Sequence, residues 1–330
     1  MRENVLRDAA ATDTVRLGYR RARALTAEHG RTYFAASCLL PPRQRRGVWA
    51  LYGFARIVDD VVDLPSAAPA PRGRAAQIDR IEEALHAVLH PAPDGRPVAG
   101  LDHRPEDAEQ GDAHLESILA AVRDTVVRFD IPTHTFDAFL RSMRMDVPGT
   151  TEFRDRYRTW AELAEYTYGS AAVIGLQMIP LLGVRAAGDD VADGAATLGE
   201  AFQLTNFLRD VAEDLDRDRI YLPTDELAAF GVDEDHLRRC RAEHVTSPHL
   251  RRALAHMIAV NRDQYRRAWP SITALPNRSR RSIAAAAAMY HDILGEIERA
   301  DNDVMDRRVV VSGRRRAMLA AQAISGRRPW

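Results

Sequence analysis

Along most of the chain, apolar residues recur at three- and four-residue spacing, with alanine and leucine abundant throughout. That period is the mark of helices burying one face. Clear two-residue alternation of the strand type is missing, and Val309–Val311 is the one short β-branched run that raises the question. Thr133 stands where it can cap a helix running through Phe136, Phe139, Leu140 and Met143, with Asp137 in its first turn. Two stretches, Pro65–Gly73 and Pro91–Asp112, are rich in proline, glycine and charge and read as exposed surface loops at 65–73 and 91–112. One short helix, Ala75–Leu89, lies between them. Helical patterning resumes after each stretch without a change in composition, and no repeat period is present. The expectation is one all-helical (all-α) domain over residues 1–330.

One predicted helix carries charge where helices of this kind avoid it. Val48–Leu64 is interrupted only by Gly53 and stopped by Pro65. Tyr52, Arg56, Asp59 and Asp63 fall on one face of it, while Leu51, Phe54, Ile57, Val58, Val61 and Val62 occupy the remaining turns. A narrow polar stripe bordered by apolar residues predicts a mostly buried helix whose stripe faces an internal cavity. The plain alternative is a surface ion pair between Arg56 and Asp59, Asp60 or Asp63. Three acids against one arginine leave excess negative charge in an apolar setting, which a divalent cation would remove.

A partner stretch lies about 150 residues downstream. In Gly199–Pro223, Gln203, Asn206, Asp210 and Asp214 are spaced by three, four and four residues, again one helical face, among Phe202, Leu204, Phe207, Leu208, Val211 and Leu215. Arg209 sits beside Asp210, and Arg217 and Arg219 follow. Magnesium takes oxygen ligands, one or two carboxylates at a time, and completes its shell with water and phosphate. Two D-x-x-x-D helices across a cavity suit magnesium bridging a diphosphate; manganese can substitute. Metal and arginine forks make diphosphate a leaving group, and an apolar cavity holds a hydrocarbon tail and shields a carbocation. A di-iron centre in a helical bundle needs two E-x-x-H motifs, and only Glu83–His86 is present.

Composition narrows the classes further. The chain has 330 residues, 46% apolar and 28% charged, with a formal net charge of −1, so no polyanion-binding surface and no nucleic-acid partner are indicated. All 46 basic residues are arginine. That excludes Schiff-base catalysis and a standard P-loop, both of which need a lysine. Neither G-x-G nor G-x-S-x-G occurs, which removes a dinucleotide fingerprint and a hydrolase elbow. Cys38 and Cys240 form no disulfide framework. The N-terminus lacks a signal-peptide stretch, and the longest apolar run, Ala171–Val184, is too short to span a bilayer. A cytoplasmic location is the default expectation, with peripheral membrane contact left open.

At the level of whole motifs, His29–Asp63 and Leu198–Pro223 resemble the phytoene/squalene synthase family, with further likeness in Tyr166–Gly183, Met289–Glu298 and Arg307–Arg316. The resemblance covers most of the chain outside the two proline-rich loops and is closest to bacterial phytoene synthases. It implies an all-α isoprenoid-synthase fold around a central cavity. It implies head-to-head joining of two C20 prenyl diphosphates, through a cyclopropylcarbinyl diphosphate, without NADPH. Carried over by position, Asp59, Asp63, Asn206, Asp210 and Asp214 would bind magnesium, and His29, Arg31, Thr32, Tyr52, Arg56, Gln203, Arg209 and Tyr290 would contact diphosphate or line the reacting end. An upstream prenyl diphosphate synthase and a downstream desaturase are the implied pathway partners.

Three departures from the family pattern stand out. Arg31 replaces a common lysine, Gly30 a common serine, and Tyr168–Ala172 reads YGSAA in place of Y-x-V-A-G, so a kink or cavity wall is expected to differ there. Read without the family, Tyr166, Tyr168 and Tyr290 are packing residues, His29 is a loop residue, and Arg314–Arg316 is a solvated helix end. The competing functions are a squalene or dehydrosqualene synthase using C15 substrates, and a catalytically silent helical homologue that binds lipid or assists assembly. A silent homologue has no need of both acidic faces, which are intact here.

Overall fold

The structure, a computed structural model, describes residues 2–63, 71–90, 106–184 and 188–324, of which 2–11, 71–72, 106–112 and 324 are described by backbone alone. The first half is built from α1 (Arg2–His29), α2 (Arg31–Ser37), α3 (Pro42–Asp63), α4 (Pro71–Leu89), α5 (Glu106–Phe129) and α6 (His134–Met145). The chain then runs through α7 (Trp160–Thr167), a π turn (Tyr168–Ala172), α8 (Val173–Leu181), α9 (Asp189–Arg209) and α10 (Val211–Asp216). It finishes with α11 (Thr224–Ala229), α12 (Glu234–Ala242), α13 (Pro248–Ala274), α14 (Asn277–Arg299) and α15 (Gly313–Ile324). Among the described residues there is no strand, only an isolated bridge between Arg156 and Ile220. Val309–Val311 is neither helix nor strand.

Several expected boundaries move. The helix expected at 48–64 begins at Pro42, because proline is compatible with a first helical turn, and it ends at Asp63. The expected loop at 91–112 gives way to helix from Glu106; acidic residues suit a helix N-terminus, and Ala and Gln propagate helix despite their polar company. The loop expected at 65–73 likewise yields to α4 from Pro71. The remaining parts of these two loops lie outside the described residues. Thr133 precedes α6 with helical dihedrals (φ −69°, ψ −29°), so its side chain makes no capping bond.

Two core clusters flank a shared interior. In one, Phe54, Val58, Val61 and Val62 of α3 pack on Ile118, Leu119 and Val122 of α5 and on Phe136 and Phe139 of α6. Each such buried side chain contributes roughly 1.5–3 kcal/mol. In the other, α9 lies along α13 and α14. A buried polar network sets its register: Thr205 Oγ1 meets Asn261 Oδ1 and the Tyr265 hydroxyl, each at 2.8 Å, and Asn261 Nδ2 donates to the Ala201 carbonyl at 2.9 Å. Such a network holds only when all members are satisfied, so α9 is locked in rotation. Gln203 and Asn206 consequently face the interior. On the opposite wall, Gly199 lets α9 approach the π turn; a Cβ there would lie 2.3 Å from the Ala171 carbonyl oxygen.

Candidate active site

Between the two clusters lies a cavity of 590 Å³ with a charged mouth and an apolar interior. The interior wall includes Leu51 and Ala55 of α3, Phe139 and Met143 of α6, and Ile174 and Met178 of α8. Ser170 and Ala171 belong to the π turn, so the YGSAA departure falls on the cavity wall, where a π turn widens the helix. Gly169 within it packs so tightly that a Cβ would lie 2.1 Å from Ser142 Oγ.

Tyr52, Arg56, Asp59 and Asp63 all reach the cavity from α3, as the one-face reading requires. Gln203, Asn206, Arg209, Asp210 and Asp214 reach it from the other side. Their scaffold differs from the expected unbroken helix. The backbone turns out of helical geometry at Asp210 (φ −103°, ψ 16°), dividing α9 from α10. The four-residue hydrogen bonds Asp210 N–Asn206 O (2.8 Å) and Asp214 N–Asp210 O (2.9 Å) persist through the kink, so the face survives. Tyr290 joins from α14, stacked on Phe202 at 4.5 Å and 5.2 Å from the Tyr33 ring.

His29, Arg31 and Thr32 are not among the cavity-lining residues. His29 ends α1 and Arg31 opens α2; both are exposed, with His29 Nε2 3.8 Å from Glu28. Buried Gly30 between them fits against Tyr52, whose ring would stand 2.6 Å from a Cβ at that position. Glycine in place of serine therefore makes room for the Tyr52 ring.

Six carboxylates and five guanidiniums line the mouth. Arg56 pairs with Asp60 at 2.5 Å, which takes Asp60 away from the cavity. Asp63 is approached by Arg217 at 3.5 Å and Arg219 at 3.3 Å. Asp210 is gripped on both oxygens by two guanidiniums, Arg209 at 2.7 and 2.6 Å and Arg308 at 2.8 and 3.0 Å. Asp59 and Asp214 make no ion pair among the described residues. Burial and the neighbouring Asp63 carboxylate push Asp59 up to about 7. Burial and Asp210 likewise hold Asp214 well above the usual carboxylate range. One under-compensated carboxylate on each side of a cavity, with Asn206 adding a neutral oxygen, is an all-oxygen donor set that fits magnesium.

Asp146 was not signalled by its spacing. It sits 4% exposed at the end of α6 and lines the cavity. The Tyr166 and Tyr221 hydroxyls donate to its two oxygens at 2.7 and 2.8 Å, and Arg219 donates to its backbone carbonyl at 3.0 Å. Arg219, at 12% exposure, thus bridges Asp146 and Asp63. Tyr166 is therefore more than a packing residue, whereas Tyr168 is 47% exposed. At the far end of the chain Arg314 is exposed, as a solvated helix end requires, while Arg315, itself 39% exposed, also binds the buried Asp292 through three contacts of 2.7–3.2 Å, fastening α15 to α14. The segment before α15 carries Arg308 to the mouth. Only the position of Arg308 inside a family-like stretch could have drawn attention to it.

An all-helical shell around an apolar cavity, with aspartate turns facing each other at its mouth, defines an isoprenoid-synthase fold. The chain belongs to the squalene/phytoene synthase family, whose model matches residues 26–315. It is 33% identical to phytoene synthase 3, chloroplastic, of Zea mays over 94% of this chain and 66% of that one, just under two thirds of the relative's length. It is also 33% identical to phytoene synthase 2, chloroplastic, of Solanum lycopersicum, over 89% and 86%. Among solved structures, a dehydrosqualene synthase superposes with a TM-score of 0.78 at 24% identity, covering 96% of this chain and 98% of that one. A squalene synthase from Alicyclobacillus acidocaldarius superposes with a TM-score of 0.69 at 22% identity, covering 89% and 99%. These two share the fold. No helix among the described residues is long and apolar enough to cross a membrane.

Proposed function

We propose that this protein joins two geranylgeranyl diphosphates head to head into phytoene by way of prephytoene diphosphate, releasing diphosphate, with magnesium and without NADPH. The observation that carries the reading is the pair of under-compensated aspartates, Asp59 and Asp214, on opposite sides of one apolar cavity. The phytoene synthases at 31–33% identity support the C20 substrate and the unreduced product. Both core clusters wall the same cavity, which supports reading the chain as one domain.

In this reading Asp59, Asp63, Asn206, Asp210 and Asp214 hold magnesium, or manganese in its place. A metal held there would supply the charge neutralisation that makes diphosphate a leaving group. Arg209 and Arg308 present forks that match phosphate oxygens as well as they match Asp210. Arg56 and Gln203 orient the head group; His29, Arg31 and Thr32 lie outside the cavity lining and would have to approach it to make the diphosphate contact that the family likeness implies. The Tyr33, Tyr52, Phe202 and Tyr290 rings offer π-faces beside the mouth that stabilise a developing carbocation. Burial pushes the Tyr52 phenol up, so it stays protonated and acts as a donor. The apolar wall excludes water, and loss of a proton ends the sequence. The hydrocarbon product suits release toward a membrane surface and hand-over to a desaturase.

The test is incubation of the purified chain with geranylgeranyl and farnesyl diphosphates and magnesium, without NADPH, followed by product identification. Phytoene is the expected product. A C30 hydrocarbon alone overturns the substrate assignment, and an absolute need for NADPH overturns the proton-loss ending.

A further inference from the structure

On the outer seam between α4 and α6 lies a cluster that the reaction does not use. Glu82, His86 and His90 follow one another at four-residue spacing, so they stack along one face of α4 and its last turn. The His90 amide bonds the His86 carbonyl at 2.8 Å, which keeps that turn helical. Asp137, from the first turn of α6, meets this face: its Oδ1 lies 2.7 Å from His86 Nε2. One ligand atom each from Glu82, His86 and Asp137 falls within 4.8 Å of the others. The His90 ring is T-shaped to that of His86, with centroids 6.3 Å apart. None of the four residues lines the cavity.

From this placement we infer that Glu82, His86 and Asp137 bind one divalent transition-metal ion of the zinc type, apart from the catalytic magnesium. A His–Asp ion pair alone would need only two of these side chains, yet three donors converge from two helices. One imidazole and two carboxylates, with water as a fourth ligand, form a mixed N/O set of tetrahedral zinc; magnesium prefers oxygen alone.

Arg144 shapes the site from outside. Its Nη2 bonds Glu82 Oε2 at 2.6 Å and Asp79 Oδ1 at 2.7 Å. It engages one oxygen of Glu82, orienting the carboxylate for coordination through the other, as partners of metal-bound carboxylates commonly do. Three carboxylates against one guanidinium leave two negative charges, which a divalent ion balances. The ion would staple α4 to α6, the helix that carries Phe139, Met143 and Asp146 to the cavity wall. Proton competition for the histidine makes the site weaken on acidification.

The test is calorimetric titration of zinc into the full chain, freed of metal with chelator and then saturated with magnesium so that the catalytic acids are occupied. One zinc per chain is expected, with affinity at least tenfold weaker in His86→Ala and Asp137→Asn but retained in Asp210→Asn. His86 and Asp137 are about half exposed (47% and 53%), so these variants keep the fold, which circular dichroism checks. Absence of zinc binding under saturating magnesium, or equal affinity in His86→Ala and the unaltered chain, overturns the site.

Discussion

The two aspartate turns share a spacing and differ in almost everything else. On α3 the backbone is continuous; Asp60 pairs with Arg56 of the same helix, while Asp63 is served from far along the chain, Arg217 and Arg219 reaching it across more than 150 residues. At the α9–α10 junction the helix breaks at Asp210, and that residue is held by its own neighbour Arg209 together with Arg308. Each side nevertheless leaves one aspartate, Asp59 or Asp214, without an arginine partner. The same motif thus serves two electrostatic designs: the α3 acids meet guanidiniums through single contacts, whereas Asp210 is clamped on both oxygens by two forks, which the proposed reaction would shift to phosphate. The comparison teaches that motif spacing places donors but does not say which of them are compensated.

The largest expected effect is on turnover. Asp59→Ala and Asp210→Ala should each lower kcat by about a thousandfold or more, since several kcal/mol of charge stabilisation would be lost. Their effects on the metal-free fold should be opposite. Removing Asp59 deletes an unpaired carboxylate and should raise the melting temperature, whereas removing Asp210 strands Arg209 and Arg308 and should lower it. Helical circular dichroism stays unchanged in both. Shifts of the same sign would erase the contrast between the two sides, and near-normal rates at saturating magnesium would break the proposed role.

Lysine replacements come next. Arg209→Lys and Arg56→Lys should reduce kcat/KM by about 10–100-fold, because a point charge cannot form a bidentate fork. Arg209→Lys is expected to be the more severe, since Arg209 grips Asp210 through two bonds while Arg56 holds the outward Asp60. An unchanged rate with a large fall in melting temperature would make either one a structural ion pair instead.

A smaller effect should follow pH. Asp59 is pushed up to about 7, and Asp214 is also raised, so the folded chain binds more protons than the unfolded one between the ordinary carboxylate range and neutrality. Stability contributed by that uptake is fully present below the unfolded value and is lost as pH rises through about 7. The metal-free protein should therefore melt at a higher temperature at pH 5.5 than at about pH 7.5 by this contribution, and Asp59→Asn should flatten the slope. Saturating magnesium should flatten it too. A slope untouched by both changes would remove Asp59 from the account.

The smallest expected effect concerns the fit behind Tyr52. Gly30→Ser places a Cβ against the Tyr52 ring and should cost about 1–3 kcal/mol of stability by overpacking. If Tyr52 swings aside without cost, stability will hold and KM alone will move, which a paired melting and kinetic measurement distinguishes.

Amino-acid order alone carried the helical class and both acidic faces, because a helix maps three- and four-residue spacing onto one side whatever surrounds it. That is why Tyr52, Asp59 and Asp63, and separately Gln203, Asn206 and Asp214, were legible before any coordinates. It also carried the exclusion of lysine chemistry. What it could not carry were features created by packing. The break at Asp210 and the π turn at Tyr168–Ala172 depend on tertiary packing, with close approaches such as Gly199 to Ala171, that spacing does not reveal. Asp146, Arg219 and Arg308 come to the cavity from segments with no shared spacing, so only the folded chain unites them with Asp63 and Asp210. Burial decided the rest: Asp59 and Asp214 are unusual because desolvation and neighbouring carboxylates act on them together, and both are consequences of tertiary structure.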